Sequence, residues 1–386
     1  MSDKLIIERM ELFKVPPRWL FLKVTTKEGI TGWGEPVVEG KADTVATCVR
    51  ELEQYVIGRS AREIEDIWQV LYRGGFYRGG PILMSALSGI DQALWDIKGK
   101  ALNTPVYELL GGAVRDRMKM YCWIGGDEPE VIIQRARDKV KAGYGAVKMN
   151  ATGAIPWIAS IKEVRAVSNN VRKLREEFGD DLDIGIDFHG RIHKGMVRRL
   201  IEELTPFNPM FVEEPVLSEN NELLRQISAL SSIPIATGER MYSRWDFKEI
   251  LHQGYVDIIQ PDLSHAGGIS EVRRIAAMAE AYDVALAPHC PLGPISLAAA
   301  LNVDFTSINA VIQESSLGIH YNQGFDLPDY LNNPEIFDLK DGAIERFRLP
   351  GLGIEINEKA VEEAARIGHD WSNPIWRNSD GSFTEW

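Results

Sequence analysis

Three cysteines in 386 residues, Cys48, Cys122 and Cys290, are too few and too scattered for a disulfide framework or a thiolate zinc site. A reducing cytoplasm is the expected compartment. No run of about 20 apolar residues occurs, and the opening MSDKLIIERM carries Lys4, Glu8 and Arg9 where a signal peptide would be apolar. The chain is therefore expected to be soluble and unexported, with no membrane partner. Basic clusters are missing as well. The net charge of −13 is spread without an acidic tail, which argues against nucleic acid and anionic lipid as partners. An anionic substrate would need local compensation, such as a metal. What remains is an ordinary globular composition, 45% hydrophobic and 26% charged, with enough chain for one large or two medium domains.

From about residue 118, short apolar runs alternate with helical patterns. The strand candidates are MKMYCWIG, GAVKMN, DIGIDFH, PMFVEEPV, PIATGER, VDIIQPDL, VALAPHC and INAVIQE. Between the second and third, Val164, Val167, Val171, Leu174 and Phe178 recur at steps of three and four and predict an amphipathic helix. In SRWDFKEIL, Ser243 is a candidate N-cap with Asp246 at the third helical position, a variant of the capping box. Eight strands with helical crossovers predict a (β/α)8 barrel over 118–326. Residues 1–117 read as an α+β capping domain that includes a hairpin of MELFKV and LFLKVTT, and 327–386 as a turn-rich segment completing it. Trp371, Trp376 and Trp386 in that last segment predict a tail docked on the rest.

Barrels of this kind place their chemistry at the C-terminal ends of the strands. Those ends carry Lys148 and Asn150, Asp187 and His189, Glu213, Glu239, Asp262, His289 and Glu314, many of them at intervals of about 25 residues. In GIDFHGRIHKG, Asp187 and His189 lie two apart, and in an extended segment such residues share a face. Asp187, Glu213 and Glu239 offer three carboxylates from adjacent strands, a donor set suited to Mg²⁺. Glu214 points away from Glu213, and the pattern alone leaves open which of the two binds metal. Asp262 beside His289 would fix the imidazole tautomer and raise its basicity, making His289 a candidate general base with His189 across the barrel mouth. His193, His252, His320 and His369 read as structural, and His265 stays open. A carboxylate on Mg²⁺ makes its α-proton removable, and loss of a neighbouring hydroxyl then yields a 2-keto-3-deoxy acid.

The stretches IDFHGR, FVEEPV, ATGERM, QPDLSHAGGI, APHCPLGP, QESSLGIHYN, RGGFYRGGPILMSALSGIDQALWDIKGK and WSNPIWR resemble the mandelate racemase subgroup of the enolase superfamily over nearly the whole chain. The resemblance implies a modified TIM barrel with Mg²⁺ on Asp187, Glu213 and Glu239, so that Glu213 and not Glu214 is the ligand. It implies His289 as the base at C2 with Asp262 as its partner, His189 as the acid at the 3-hydroxyl, and Glu314 as the group steadying the enolate. It further implies that loops near Pro16 to Trp19 and Arg73 to Gly80 close over a sugar acid, with Lys148, Asn150, Arg18 and Tyr77 as substrate-binding residues. A homo-oligomer is also expected. Many relatives carry K-x-K on the second strand, whereas this chain has Lys148-Met149-Asn150, which disfavours a two-base racemase and agrees with dehydration. The expected reaction is conversion of D-galactonate to 2-dehydro-3-deoxy-D-galactonate and water. The segment NATGAIPWIASIK, 150–162, departs from the family pattern, so another aldonate (gluconate, arabinonate or fuconate type) is the alternative. A hydrolase using Glu213 and Glu239, indifferent to EDTA, and a non-catalytic sugar-acid-binding protein are the remaining readings.

Overall fold

The computed structural model describes residues 5–125 and 129–385. Strands β1 (Ile7–Val15), β2 (Trp19–Thr26) and β3 (Thr31–Gly34) form an antiparallel sheet, with Leu12 opposite Leu22 and Val15 opposite Trp19. The hairpin is the expected one, and β3 is additional to it. Helices α1 (Ala42–Leu52), α2 (Ile64–Arg73) and α3 (Pro81–Ala101) cover this sheet, followed by the short α4 (Val106–Leu109). The contact between β3 and α3 needs glycine on both sides: a Cβ on Gly34 would lie 1.8 Å from the Gly89 carbonyl oxygen, and one on Gly89 would lie 2.5 Å from Pro36. A core of Leu20, Leu22, Val45, Trp68, Leu87 and Ile90, among others, fills the space between sheet and helices.

The barrel follows. Its strands are β4 (Arg117–Trp123), β5 (Ala146–Asn150), β6 (Asp183–Asp187), β7 (Phe211–Glu213), β8 (Ile235–Thr237), β9 (Ile258–Ile259), β10 (Ala285–Leu286) and β11 (Gln313–Ser315), all parallel, with β11 returning to pair with β4. Leu286 bridges Ala310, and its N–H and C=O bond Asn309 O and Val311 N at 2.8 and 2.9 Å, which closes the ring between β10 and β11. All eight strand candidates are therefore found, though β9 and β10 are only two residues long. The crossovers are α5 (Pro129–Lys141), α6 (Ile161–Phe178), α7 (Lys194–Leu204), α8 (Leu224–Ser228), α9 (Arg244–Gln253), α10 (Gly268–Ala281) and α11 (Pro294–Asp304). On α6 the buried stripe contains Val164, Val167, Val171 and Leu174, and Ser160 and Glu163 form a full capping box at its start. At α9 the hydroxyl of Ser243 makes no cap bond to the helix backbone; it donates to Asp246 Oδ2 at 2.9 Å, and the same oxygen accepts the Tyr242 N–H.

Strand β12 (Ala343–Glu345) pairs antiparallel with β4, and α12 (Glu358–Ile367) packs back on β1, tied to β2 by Lys23 and Glu358 at 2.6 Å. Carboxylates from the N-terminal layer are buried against starts of barrel helices. Glu35 accepts the N–H groups of Gly293 and Ser296 at the head of α11, and Asp91 accepts the backbone N–H and the hydroxyl O–H of Ser270 at the head of α10. The first N–H groups of a helix have no partner within it, so these hydrogen bonds bolt the two layers together at the face where the strands end. In the tail, Trp371 and Trp376 are half-buried against the body; Trp386 lies outside the described residues. Among the described residues no helix is long and apolar enough to cross a membrane.

Candidate active site

The barrel interior is plugged by Tyr121, Ala146, Phe211, Ala236, Ile258, Ala287 and Ile312. Because side chains alternate along a strand, the residue two positions further faces the same interior, one layer higher. Those residues are Trp123, Lys148, Glu213, Gln260, His289 and Glu314. Gly185 leads in the same way to Asp187, and it must be glycine because a Cβ there would lie 2.7 Å from the Phe211 ring. The apolar layer thus carries a polar one on top of it. At β8 the alternation is broken by Gly238, at φ +146°, where a Cβ would meet the Gln260 N at 2.8 Å; the next residue, Glu239, turns back into the site.

Asp187, Glu213 and Glu239 each present a carboxylate oxygen within 4.8 Å of the others. Glu214 takes the left-handed conformation at φ +42° and pairs with Arg240, Nε to Oε1 at 2.9 Å, so the geometry groups Glu213 and not Glu214 with the other two. Lys148, 2% exposed, places its Nζ 2.9 Å from Glu213, 3.0 Å from Glu314 and 3.4 Å from Asp187. Gln260 donates to the other Glu213 oxygen at 2.8 Å. Burial, reinforced by the Asp187 charge, pushes the Glu213 carboxyl well above the ordinary carboxylate range, as expected where acids crowd together. Two buried oxygens, Asp187 Oδ2 and Glu239 Oε2, have no hydrogen-bond partner. Three carboxylates gathered this closely, with oxygens that complete no hydrogen bond, fit a divalent cation bound by hard oxygen donors.

His189 and His289 flank this triad from β6 and β10, which lie on opposite sides of the ring. His289 Nδ1 lies 2.9 Å from Asp262 Oδ2, and Asp262 Oδ1 accepts the Ser264 N–H at 2.6 Å. Its Nε2 lies 3.3 Å from Glu239 and 4.0 Å from Glu314, and Glu314 is anchored by the Cys290 N–H at 3.0 Å. Burial works against the charged imidazole, but Glu239, the Asp262 bond and Glu314 outweigh it and hold His289 well above its ordinary value. His189 Nε2 is 3.2 Å from Asp187 Oδ2, as the sequence predicts, but for a different reason. The strand ends at Asp187, and His189 is left-handed at φ +50°, with its N–H donated back to Asp187 Oδ1 at 2.6 Å. Burial depresses its imidazole to about 4, against the pull of Asp187.

A cavity of about 1110 Å³ opens above this layer. Lys148, Asn150, His189, Glu239, His289, Glu314 and Arg18 all line it, whereas Asp187, Glu213 and Asp262 lie beneath. Asn150 accepts the Trp123 indole N–H at 2.8 Å. Tyr77 is not brought to the others: it is 86% exposed and stacks edge-on with Phe76 outside the cavity. Several wall residues have no counterpart in the sequence reading. Arg240 could have been found beside Glu239, whereas Glu39 and Arg191 carry no local signal; Gln260, beneath the cavity, could have been found two positions before Asp262. His320, read as structural, lines the wall and stacks on Trp123 at 4.9 Å. His265 lines the cavity beside Asp262, with Nδ1 3.0 Å from Ser85 Oγ and Nε2 3.9 Å from Asp262 Oδ2.

Residues 16–111 match the mandelate racemase / muconate lactonizing enzyme N-terminal domain, and residues 131–360 the enolase C-terminal domain-like family. A D-galactonate dehydratase from Xanthomonas euvesicatoria is 57% identical over 380 residues, 98% of this chain and 100% of that one. One from Cronobacter sakazakii is 54% identical over the same shares of each chain. Among solved structures, an enolase from Agrobacterium radiobacter, a proposed galactarate dehydratase with Na and L-malate bound, superposes with a TM-score of 0.88 at 32% identity, covering 98% of this chain and 99% of that one.

Proposed function

Because this chain belongs to the mandelate racemase / muconate lactonizing enzyme family of enolase-like proteins, we propose that it is a hydro-lyase converting D-galactonate to 2-dehydro-3-deoxy-D-galactonate and water. The observation that carries the reading is the pair of imidazoles on opposite sides of the carboxylate triad, His189 at 3.2 Å from Asp187 and His289 at 3.3 Å from Glu239. A divalent cation, Mg²⁺ on the all-carboxylate donor set, would be held by Asp187, Glu213 and Glu239 and would supply positive charge to the substrate carboxylate. Lys148 adds a fixed ammonium on the same side. His289 Nε2 takes the C2 proton, with Asp262 holding the ring through Nδ1 and stabilising the imidazolium. Glu314, anchored on the Cys290 N–H, faces the enediolate oxygen. His189 gives a proton to the departing 3-hydroxyl from the opposite side of the triad. Arg18 and Asn150 hold the polyol chain within the cavity. The catalytic unit is the barrel, 118–326, and the cap comprises 1–117 with 327–386.

Incubation with D-galactonate and Mg²⁺, with assay for a 2-keto-3-deoxy acid and an EDTA-treated control, tests the reading. Metal-dependent product is expected. A second reading, dehydration of another aldonate, is favoured by the divergent 150–162 segment beside Asn150; activity on another epimer and none on galactonate would replace the first reading with this one.

A further inference from the structure

The roof of the cavity includes a carboxylate with no assigned role. Glu39 follows β3 in the cap, lines the cavity and keeps its side chain 18% exposed to it. Its two charged neighbours pair with it only at long range: Arg18 NH1 is 3.8 Å from Oε1, and His265 Nε2 is 3.6 Å from Oε2. Both separations are longer than an ordinary hydrogen bond. Arg18 is similarly incomplete. It is 5% exposed, its NH2 donates to the Pro291 carbonyl at 2.8 Å, and its Nε has no partner.

An enclosed carboxylate held only by long ion pairs is incompletely satisfied, and so is a buried guanidinium nitrogen left without an acceptor. Burial alone would raise the Glu39 carboxyl, but His265 and Arg18 hold it down at about 2, so it is ionised at neutral pH. A separation of 3.8 Å is too long for a direct bond and suits a group that is donor and acceptor together. A hydroxyl is such a group, since it can take a hydrogen bond from Arg18 and give its own hydrogen to Glu39. A methyl, a methylene or a carboxylate cannot do both.

Resting on the dehydratase reading above, we propose that Glu39 is a specificity-determining residue that accepts a hydrogen bond from one hydroxyl of the sugar-acid chain beyond C3, with Arg18 donating to the same oxygen. The site then distinguishes substrates by a hydroxyl remote from the reacting carbons. Hydrogen bonds to a charged partner are worth about ten- to hundredfold in binding, and a site built around a hydroxyl rejects the analogue that lacks it.

The test is a cycle between residue and substrate. kcat/KM is measured for wild type, Glu39→Gln and Glu39→Ala with D-galactonate and with its 4-deoxy, 5-deoxy and 6-deoxy analogues, after thermal unfolding has verified that the variants fold. Both substitutions are expected to lower kcat/KM for D-galactonate by about ten- to hundredfold. For one deoxy analogue, the one missing the hydroxyl that Glu39 meets, the same substitutions are expected to change it less than about threefold. Equal losses across all four substrates would overturn the proposal, because a structural role, or an effect passed through His265 to the base, acts on every substrate alike. A wild-type enzyme inactive on every sugar acid would instead overturn the dehydratase reading, and this inference with it.

Discussion

At the scale of single residues, the proposed chemistry divides between two imidazoles that can be separated by experiment. His289 is held by Asp262 and faces the triad from β10, so His289→Asn is expected to abolish exchange of the C2 proton with solvent deuterium. His189→Asn is expected to keep that exchange and to slow dehydration by about 10²- to 10⁴-fold, the usual worth of a positioned acid. Proton NMR of galactonate in D₂O reads the first effect and keto-acid formation the second; exchange surviving in the His289 variant would contradict the assignment. These residues were legible because a strand end is a short, predictable place and their types are uncommon there. Their conformations were not. The left-handed turns at His189 and Glu214 come from the loops above them, through Arg240 bonding both Glu214 and the His189 carbonyl at 2.9 Å, and nothing local in IDFHG or EEP announces that.

Elements were legible where burial is uniform and obscure where packing is made by absence. The barrel strands are covered on both faces, so they read as continuous apolar runs. Strand β3, TGWG, has two glycines in four residues and little strand propensity; it exists because those glycines let α3 approach. Helix α6 joins the site to this scale, since it follows the divergent segment that leaves the end of β5. Its capping box closes with Glu163 N to Ser160 Oγ at 3.3 Å and Ser160 N to Glu163 Oε2 at 2.6 Å. Ser160→Ala is expected to lower stability by about 1 kcal/mol, measurable by urea unfolding, with kcat unchanged. A loss of activity larger than the loss of stability would show that the start of α6 also positions substrate.

For the whole molecule, cap and barrel meet through buried carboxyl groups, which makes their union dependent on pH. Burial pushes the Asp91 carboxyl from an ordinary 3.8 to about 7, against the two bonds from Ser270. The folded protein therefore holds this proton more tightly than the unfolded chain; the contribution is complete below about pH 4 and is lost as pH rises through about 7. Between about pH 5 and 8 the Tm of wild type is expected to fall relative to that of Asp91→Asn, and a constant difference across that range would refute the assignment. The triad makes a second global prediction. Mg²⁺ at a hundred times its Kd should stabilise the native state by about 2.7 kcal/mol, EDTA should remove the gain, and Glu213→Gln should show little of it. That the chain forms a parallel-stranded barrel with a mixed cap was readable from its pattern, but the contacts that join them pair residues far apart in the chain, as Asp91 does with Ser270.

The cavity wall also has an order of manufacture. Arg18 and Glu39 leave the ribosome before any barrel strand, whereas Asn373 and Trp376, which line the same cavity, leave it after all eight. At about 5–20 residues per second, the nascent chain spends many seconds with a roof and a floor but one side missing. A ribosome-bound chain halted before residue 371 would carry both histidines and the complete triad, yet present them to bulk water.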